Sequence, residues 1–258
     1  MAGSHILLAE DNPTNQVVAL AILKRLGLSA QVAPNGAKAL KALTQSPFDL
    51  VLMDLGMPEM DGLQAARLIR DPGSGVLNSR VPIVAMTAHA LPGDREKCLD
   101  AGMDDYLAKP VTLESLSLVL SKWLPGLAGR QAEVWVQAAT GQAQPEAQVF
   151  DLAVLRKRLL EDEDLLRSVL ASFLQEIPRQ MSALAEMLEA GQAQEAAKRA
   201  HAIKGAAAAV CAEYLRLAAL GIEKAGRAED LAAARAGLPG LESQFALARQ
   251  AILSSSRL

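Results

Sequence analysis

The first half of the chain alternates short apolar runs with stretches of helical periodicity. The runs that we predict as strands are His5–Ala9, Ala30–Ala33, Leu50–Met53, Ile83–Met86 and Tyr106–Ala108. The stretches that we predict as helices are Thr14–Leu26, Ala37–Thr44, Leu63–Ile69, Gly93–Ala101 and Leu113–Leu124. Short strands that are apolar on both faces and alternate with helices are typical of a parallel sheet covered by helices. Residues 5–124 therefore predict a doubly wound α/β domain with a five-stranded parallel sheet.

The second half of the chain shows helical periodicity only. Its predicted helices are Leu152–Leu160, Asp164–Glu189, Ala193–Val210, Ala212–Ala225 and Ala228–Ile252. Pro178 is expected to kink or break the second of these helices, because proline lacks the N–H that the helix needs. Gly191 and Gly226 are expected at the joints between helices. Helices with short connections predict an antiparallel helical bundle, which we place at residues 150–253.

Residues 125–149, between the two patterns, have the composition of a linker. The segment is rich in alanine and glutamine and contains the helix breakers Pro125, Gly126, Gly129, Gly141 and Pro145. A flexible chain of this length spans about 25–30 Å, so it permits the two domains to meet. The apolar island Val134–Val136 is unusual in a free linker. It has a second interpretation, in which it docks on a neighbouring domain and holds the two domains apart.

Composition narrows the class of protein. The chain has 258 residues, a formal net charge of −3, 51% hydrophobic residues and 21% charged residues, so two domains can each bury a core. The near-neutral charge argues against a nucleic-acid-binding protein, which usually has a basic face. No apolar run approaches the ~20 residues that a bilayer-spanning helix needs. Cys98 and Cys211 form no C-x-x-C pair, so we expect reduced, buried thiols and a cytoplasmic location.

Polar side chains follow four of the predicted strands at their carboxyl ends: Glu10 and Asp11, Asp54, Thr87 and Lys109. Because open α/β sheets bind ligands at this edge, these groups are expected to converge. A bound Mg²⁺ relieves the repulsion among three carboxylates through hard oxygen ligands. A metal, an ammonium and a hydroxyl around a carboxylate suit phosphoryl transfer, with Asp54 as the nucleophile. A single polar side chain at a strand end is ordinarily a helix cap or a turn residue. Polar side chains at four strand ends together favour a functional site.

Four segments resemble the receiver domain of response regulators. They are Leu7–Asn12 (LLAEDN), Met53–Gly62 (MDLGMPEMDG), Ala85–Ala90 (AMTAHA) and Asp104–Pro110 (DDYLAKP). The resemblance covers residues 5–124 and implies a flavodoxin-like sheet. It also implies that the chain belongs to a bacterial two-component system. It implies that Asp54 is the phosphoacceptor.

The same resemblance implies a metal site around the phosphoacceptor. Asp11 is implied to bind Mg²⁺ directly and Glu10 to act mostly through water. The backbone carbonyl of Gly56 is implied to complete the site. The acidic pair is Glu-Asp where many members of the family have Asp-Asp, so we expect a tuned metal affinity.

The resemblance also implies how the domain binds and reports a phosphate. Lys109 is implied to be the phosphate-binding cation, with a cis peptide bond before Pro110. Thr87 and Tyr106 are implied to be a switch pair, in which the hydroxyl turns toward the phosphate and the aromatic ring follows inward.

One predicted helix of the second half places a histidine opposite its apolar stripe. The stripe is formed by Ala196, Ala200, Ile203, Ala207 and Val210. His201 lies about 200° around the helix from Ile203, so we expect it to face solvent, with Lys204 and Gly205 on the same face. A glycine inside a helix costs about 1 kcal/mol relative to alanine, and here it leaves room for another protein to approach the imidazole. The pattern alone leaves an idle surface histidine as the alternative to a phosphoryl carrier.

The segment Ala200–Ala207 (AHAIKGAA) resembles the histidine-containing phosphotransfer (HPt) domain, a helical bundle with an H-x-x-K-G motif. The resemblance covers residues 150–253 and implies that His201 carries phosphohistidine, with Lys204 and Gly205 as the other motif residues. Alanines follow Gly205 where many members carry Ser or Asn, which leaves the polar contacts with a partner open.

Together the two resemblances predict a phosphorelay protein. Asp54 accepts a phosphoryl group from an upstream histidine kinase or its phosphohistidine domain, and His201 serves the next step with a downstream response-regulator receiver. No ATP-binding pattern of a kinase is visible, so we expect a phosphotransfer protein without its own kinase activity. The pair resembles the C-terminal part of a hybrid sensor kinase. Transfer between Asp54 and His201 within one chain is one hypothesis, and service of separate partners alone by His201 is the other.

Two further classes of function fit the residues less well. Phosphatases of the haloacid dehalogenase type have a second aspartate two positions after the nucleophile, where this chain has Gly56. A docking scaffold that is never phosphorylated has no need of the complete set Glu10, Asp11, Asp54, Thr87 and Lys109.

Overall fold

The computed structural model of the protein describes residues 4–87, 92–124, 149–159 and 161–255. Its strands are β1 (His5–Ala9), β2 (Ser29–Ala33), β3 (Leu50–Asp54), β4 (Ile83–Thr87) and β5 (Asp105–Ala108). The helices that alternate with them are α1 (Pro13–Arg25), α2 (Gly36–Gln45), α3 (Gly62–Arg70), α4 (Pro92–Asp100) and α5 (Leu113–Trp123). The Val134–Val136 island and almost all of the predicted linker lie outside the described residues.

All ten elements predicted for the first half are present, and each end lies within one residue of its prediction. Local capping fixes several of these ends. The side chain of Asn35 accepts from the N–H of Lys38 at the start of α2, and that of Asp61 accepts from the N–H of Gln64 at the start of α3. The unpredicted element is a short 3-10 helix, Pro72–Ser74, after α3.

The five strands form one parallel sheet in the order β2-β1-β3-β4-β5. The chain moves from β1 to one edge, then crosses back to β3 and continues to the other edge. Right-handed crossovers in these two directions place helices on both faces. This is the flavodoxin-like doubly wound order, so the predicted fold class is confirmed. The strand order reverses between β1 and β3, and their carboxyl ends flank the crevice where such sheets bind ligands.

The inner strands β1, β3 and β4 are buried along their whole length except at His5. One face of the sheet packs against α2, α3 and α4 in a continuous apolar core. The residues of the inner strands in this core alternate along the chain: Leu7, Ala9, Val51, Met53, Ile83 and Ala85. Burial of both faces explains why these strands are continuous apolar runs in the sequence.

Gly62 begins α3 against the backbone of β3. A Cβ atom at this position would lie 2.2 Å from the carbonyl oxygen of Asp54. We therefore expect Gly62→Ala to destabilise the sheet-containing unit by about 1–3 kcal/mol, because overpacking displaces the backbone. Denaturant unfolding followed by circular dichroism measures the effect. Gly221→Ala in the helix Glu213–Arg227 is the control, since no atom outside the neighbouring backbone of its own helix lies within 4 Å of the added Cβ. Unchanged stability of Gly62→Ala would contradict the close approach of α3 to β3.

The sheet lies in one compact unit of the chain, and the helices after residue 149 lie in another. These helices are α6 (Leu152–Arg158), α7 (Glu163–Glu189), α8 (Ala193–Ala209), α9 (Glu213–Arg227), α10 (Leu231–Ala236) and α11 (Leu238–Ser255). α8 packs against α7 and α9, and α9 also packs against α10 and α11. The second unit is therefore helical, as predicted.

The break that was one of the two expectations at Pro178 is absent, and one predicted helix is wrong. α7 continues through Pro178 without a break. Pro178 removes only one N–H from this long helix. Buried apolar residues before and after the proline, such as Phe173 and Leu184, pack the helix against its neighbours. The predicted helix Ala228–Ile252 is two helices that meet at Gly237, because Pro239 has no N–H to continue the first of them.

Gly226 is not the helix joint that its residue type indicated. It is buried inside α9, and a Cβ atom there would lie 2.8 Å from the carbonyl oxygen of Ala193 and 3.0 Å from the Cβ of Ala197. Gly226 therefore permits the close approach of α9 to α8. Gly191, by contrast, does lie between α7 and α8, with a left-handed φ of 75°.

Both cysteines are free thiols, as expected. Cys98 is buried, but Cys211 is only partly buried, so the expectation of burial is wrong for Cys211. Cys211 lies in the turn between α8 and α9, with a left-handed φ of 59°. Within the described ranges, no helix combines the length and the apolar character needed to cross a membrane.

Candidate functional site

The carboxyl ends of β1 and β3 bring three carboxylates together. Glu10 and Asp11 directly follow β1, and Asp54 is the last residue of β3, the central strand. One oxygen atom from each carboxylate lies within 4.8 Å of the other two. Glu10 and Asp54 are buried, whereas Asp11 is half-buried. The predicted convergence is present, and a set of hard oxygen donors of this kind fits Mg²⁺.

Lys109 supplies the positive charge at this cluster. Its Nζ lies 2.6 Å from Oε2 of Glu10 and 2.7 Å from Oδ2 of Asp54. The peptide bond between Lys109 and Pro110 is cis, as the resemblance implied. Burial opposes the charged form, but the charges of Asp54 and Glu10 outweigh it and raise the pKa of Lys109 above its ordinary value. Lys109 is thus a permanently charged ammonium held against the proposed nucleophile.

Two contacts orient the carboxylate of Asp54. Its Oδ2 faces Lys109, and its Oδ1 accepts a hydrogen bond of 3.2 Å from the backbone N–H of Gly56. The backbone N–H of Lys109 donates to the carbonyl of Thr87 at 2.7 Å, which fixes the lysine backbone beside the end of β4. Gly56 therefore contacts the carboxylate of Asp54 through its backbone N–H. A metal-binding role for the backbone carbonyl of Gly56 stays a prediction.

A second cluster of charged side chains joins α8 and α9. Nδ1 of His201 lies 2.8 Å from Oε1 of Glu223. Nζ of Lys204 lies 2.6 Å from Oε2 of this carboxylate, and Nη2 of Arg227 lies 2.6 Å from Oε1. The contact between Lys204 and Glu223 is an ion pair by distance, although its angles do not meet hydrogen-bond geometry. Glu223 is only 1% exposed, so it is a buried anion that contacts a histidine and two cations.

Comparison with known families assigns both parts of the chain. Residues 6–121 match the response regulator receiver domain, and residues 168–251 match the Hpt domain. The chain carries a receiver domain followed by an Hpt domain.

The curated proteins that are similar to this chain include sensor kinases. The sensor histidine kinase GacS of Pseudomonas protegens is 34% identical over 201 residues, which are 78% of this chain and 22% of that protein. The signal transduction histidine-protein kinase BarA of Escherichia coli K12 is 33% identical over 183 residues, which are 71% of this chain and 20% of that protein. The chain thus spans about a fifth of the length of these curated relatives.

A solved structure resembles the receiver domain. It is the receiver domain of the sensor histidine kinase PA1611 from Pseudomonas aeruginosa PAO1, with a magnesium ion coordinated in its active-site cleft. Its sequence is 47% identical, and the match covers 47% of this chain and 98% of that chain with a TM-score of 0.43.

The predicted switch residues of the receiver lie on neighbouring strands. Thr87 ends β4 and is buried, whereas Tyr106 on β5 is 37% exposed. Asp105 accepts from the backbone N–H of Tyr106 through Oδ1, and its Oδ2 accepts from the side chains of Lys122 and Trp123 in α5. The backbone at Tyr106 is therefore tied to the end of α5. A switching role for Thr87 and Tyr106 stays a prediction.

The histidine of the Hpt domain is less exposed than its helical position indicated. The side chain of His201 is 16% exposed and that of Lys204 is 4% exposed. The expectation that both face solvent is wrong, because α9 packs along this side of α8 and Glu223 contacts both residues. The predicted apolar stripe is confirmed, with every member fully buried: Ala196, Ala200, Ile203, Ala207 and Val210.

The cations around Glu223 keep its carboxylate ionised. Burial by itself raises the pKa of an acid, but the hydrogen bond and charge of His201, together with the charge of Lys204, outweigh burial. They lower the pKa of Glu223 to about 2. Glu223 therefore accepts hydrogen bonds and donates none at neutral pH.

The Hpt domain is expected to lose stability as the pH falls from about 4.5 to about 2. The pKa of Glu223 is depressed in the folded state from its ordinary value of 4.5, so its stabilisation is complete above pH 4.5 and lost below pH 2. The loss is on the order of 3 kcal/mol. Denaturant unfolding at pH 5 and pH 2.5 measures it in the wild type and in Glu223→Gln, which is expected to depend less on pH. Glu195→Gln, on the exposed side of α8, is the control, and equal pH dependence of Glu223→Gln and wild type would contradict the prediction.

The sequence alone assigned no role to Glu223 or Arg227. Helical periodicity is the signal that points to Glu223. Glu223 lies one turn after Ala219 and next to Ile222, and both of these residues lie on the buried face of α9. A carboxylate at a buried position needs partners. The sequence does not say that these partners lie on α8, so the link to His201 needs the tertiary structure.

Proposed function

We propose that the chain is a phosphorelay module with two phosphoryl carriers, Asp54 of the receiver domain and His201 of the Hpt domain. The observation that carries the proposal is the convergence of Asp54, Lys109 and two further carboxylates at one edge of the sheet, in a chain that also has an Hpt domain. The contact of His201 with a buried carboxylate supports the second carrier.

Asp54 accepts the phosphoryl group through a carboxylate oxygen. An O–P bond forms at Asp54 while the N–P bond of the donor phosphohistidine breaks, and the imidazole leaves as a neutral ring. Lys109, already in contact with this carboxylate, pairs with the phosphoryl oxygens. Glu10, Asp11, Asp54 and the carbonyl of Gly56 would hold a magnesium ion, which would supply positive charge to neutralise the phosphoryl oxygens.

Thr87 and Tyr106 report the phosphorylated state. Thr87 lies at the end of the strand next to Asp54, and its hydroxyl binds the phosphoryl group. Tyr106, exposed before phosphorylation, moves inward after Thr87 has moved. Its backbone contact with Asp105 passes this change to the end of α5.

His201 carries the phosphoryl group in the second step, with Lys204 and Gly205 as the remaining motif residues. The partners are an upstream histidine kinase, or its phosphohistidine domain, and a downstream response-regulator receiver. Transfer between Asp54 and His201 within one chain is also proposed, because a linker of this length gives an effective concentration in the millimolar range. No nucleic acid takes part in this scheme.

The proposed domain bounds are 5–124 for the receiver, 125–149 for the linker and 150–253 for the Hpt domain. They enclose the matched ranges 6–121 and 168–251. We propose that the module works as the C-terminal part of a hybrid sensor kinase and takes its phosphate from that kinase rather than from ATP. Its free thiols suit a cytoplasmic location.

Intact-mass spectrometry tests the proposal. The chain is incubated with acetyl phosphate and Mg²⁺, and an adduct of about 80 Da is expected. Aspartyl phosphate is lost in base, whereas phosphohistidine is lost in acid and survives base, so both treatments are applied. Omission of Mg²⁺ with EDTA present is expected to reduce the base-labile adduct strongly. Absence of any adduct would show that the chain is an unphosphorylated docking module.

A further inference from the structure

One face of α9 is apolar although it is exposed to solvent. Tyr214 is 40% exposed, Leu217 is 43% exposed, and Gly221 is exposed two turns after Tyr214 on the same face. Ala218, which is half-buried, lies between them. We call these four residues the α9 apolar face. The solvent side of a helix ordinarily carries polar residues, so a group of apolar residues there indicates a surface that another segment covers.

Gly221 is a second sign that this face is covered. It lies in the middle of α9, and no atom outside the neighbouring backbone of its own helix lies within 4 Å of a Cβ built there. Packing inside the domain therefore does not require a glycine at this position. Because glycine weakens a helix relative to alanine, its presence is explained by an occupant that approaches the backbone closely.

The charged residues beside this face are paired with each other. The guanidinium of Arg216 donates to both carboxylate oxygens of Glu213, at 2.7 Å through Nε and at 2.6 Å through Nη2. This flank therefore needs no ionic partner, and an uncharged occupant fits the α9 apolar face.

The α9 apolar face is separate from the surroundings of the candidate phosphoryl carrier. Glu223, which contacts His201, lies about 180° around α9 from Tyr214. An occupant of the α9 apolar face therefore leaves the side of α9 that contacts His201 uncovered.

The linker supplies an occupant of matching chemistry. The Val134–Val136 island (VWV) lies outside the described residues, but its sequence is apolar, and no charged residue occurs from its start through Pro145. The indole ring of Trp135 offers a large flat apolar surface, which suits contact with a helix backbone at a glycine.

The linker also joins the helical unit beside the start of α9. The backbone N–H of Asp151 donates to the carbonyl of Cys211 at 3.3 Å, two residues before α9 begins, and Phe150 is buried. A flexible chain from Phe150 back to the Val134–Val136 island spans about 20 Å, whereas Gly221 lies about 12 Å along α9 from its start. The island therefore reaches the whole face, at an effective concentration that populates even a weak contact.

We propose that the α9 apolar face binds the Val134–Val136 island of the same chain, with the ring of Trp135 against Gly221. The inference does not depend on phosphoryl transfer. It assigns the island to the Hpt domain and so favours the second interpretation of this segment. The free tether is then residues 125–133, with a span of about 15–18 Å, and release of the island restores its full length.

Fluorescence of Trp135 in the full chain tests the docking. The sequence has two tryptophans, so Trp123→Phe leaves Trp135 as the only one. Trp135 is expected to emit at a shorter wavelength than in the same chain unfolded by guanidinium, and acrylamide is expected to quench it several-fold less. Emission and quenching equal to those of the unfolded chain would overturn the proposal.

Variants of the surface locate the contact. Leu217→Glu, in the Trp123→Phe background, places a charge in the α9 apolar face and is expected to expose Trp135 to quencher. Leu247→Glu is the matched control, because Leu247 is also 43% exposed but lies on α11.

Gly221→Gln is the second variant, because it fills the proposed position of the ring at a site where the domain itself leaves open space. It is also expected to expose Trp135, and circular dichroism shows that the variants are folded. If Trp135 stays protected in folded Leu217→Glu and Gly221→Gln, the island binds elsewhere and the proposal is overturned.

Dilution and light scattering distinguish the occupants of the face. Docking within a chain is independent of protein concentration, so the emission of Trp135 should stay constant over about 100-fold dilution. A shift to longer wavelength on dilution, together with a dimer mass that Leu217→Glu reduces to a monomer mass, would assign the face to a second copy of the chain and overturn docking within one chain.

Discussion

The base-labile adduct of about 80 Da is expected to disappear in Asp54→Asn. An amide oxygen is a far weaker nucleophile than a carboxylate oxygen, so acyl phosphate formation with acetyl phosphate and Mg²⁺ should fall at least about 100-fold. Asp54 is the candidate that the geometry favours, because it ends the central strand and contacts the lysine directly. Intact-mass spectrometry before and after base treatment measures the loss.

The fold is expected to survive this substitution. Lys109 keeps its contact with Glu10, and the amide oxygen of asparagine still accepts from the N–H of Gly56. Circular dichroism of Asp54→Asn should therefore match the wild type. Asp71→Asn is the control for the loss of one carboxylate, because its side chain only caps a short exposed turn. A base-labile adduct of undiminished yield in Asp54→Asn would assign the acceptor elsewhere.

The elements of the receiver half could be predicted because burial or a local hydrogen bond leaves a signal in the sequence of each of them. β3 is buried on both faces, so Leu50–Met53 is a continuous apolar run and lacks the polar positions of an amphipathic helix. Residues such as Asn35 and Asp61 mark helix starts through local hydrogen bonds. The carboxyl-edge rule for parallel sheets then places Asp54 beside the end of β1 without any further information.

The helical half was predicted less well because its details depend on contacts between helices. Gly226 has the sequence signature of a joint, yet its function is to let α9 approach α8. Pro178 has the signature of a break, yet tertiary packing keeps α7 continuous. In each case a local preference is outweighed by burial, which a single sequence does not reveal.

The same limit applies to the environment of His201. Periodicity correctly assigned the buried stripe of α8, but it treated the opposite face as solvent-exposed. A helix in a bundle contacts more than one neighbour, and α9 covers the face that carries Lys204. The pattern within one helix therefore located the histidine but not its carboxylate partner.

The two candidate carriers share an electrostatic arrangement. Lys109 is paired with Asp54 and Glu10, and Lys204 is paired with Glu223. In the receiver the lysine contacts the proposed nucleophile, Asp54, so it is in place for an incoming phosphoryl group. In the Hpt domain the lysine contacts a separate carboxylate, Glu223, which also contacts the proposed nucleophile, His201. An incoming phosphoryl dianion then competes with Glu223 for the ammonium of Lys204. Because of this competition, we expect the phosphorylation of His201 to be reversible rather than permanent.

The acid-labile, base-stable adduct is expected to be absent from His201→Ala. Alanine has no nucleophilic atom, so phosphohistidine should fall at least about 100-fold when the chain is incubated with acetyl phosphate and Mg²⁺. If transfer occurs within one chain, the acyl phosphate of Asp54 also loses its route to the Hpt domain and persists longer than in the wild type. Mass spectrometry after acid or base treatment, followed over time, measures both effects.

The control for this substitution is Lys198→Ala, an exposed residue three positions earlier on α8 that is paired with Glu195. It is expected to retain both adducts and the wild-type decay. The decay measured at several protein concentrations separates the two routes, because transfer within a chain is independent of concentration and transfer between chains is not. Equal decay of the acyl phosphate in His201→Ala and the wild type would exclude internal transfer and leave His201 to separate receiver partners. Undiminished phosphohistidine in His201→Ala would show that another histidine is the carrier.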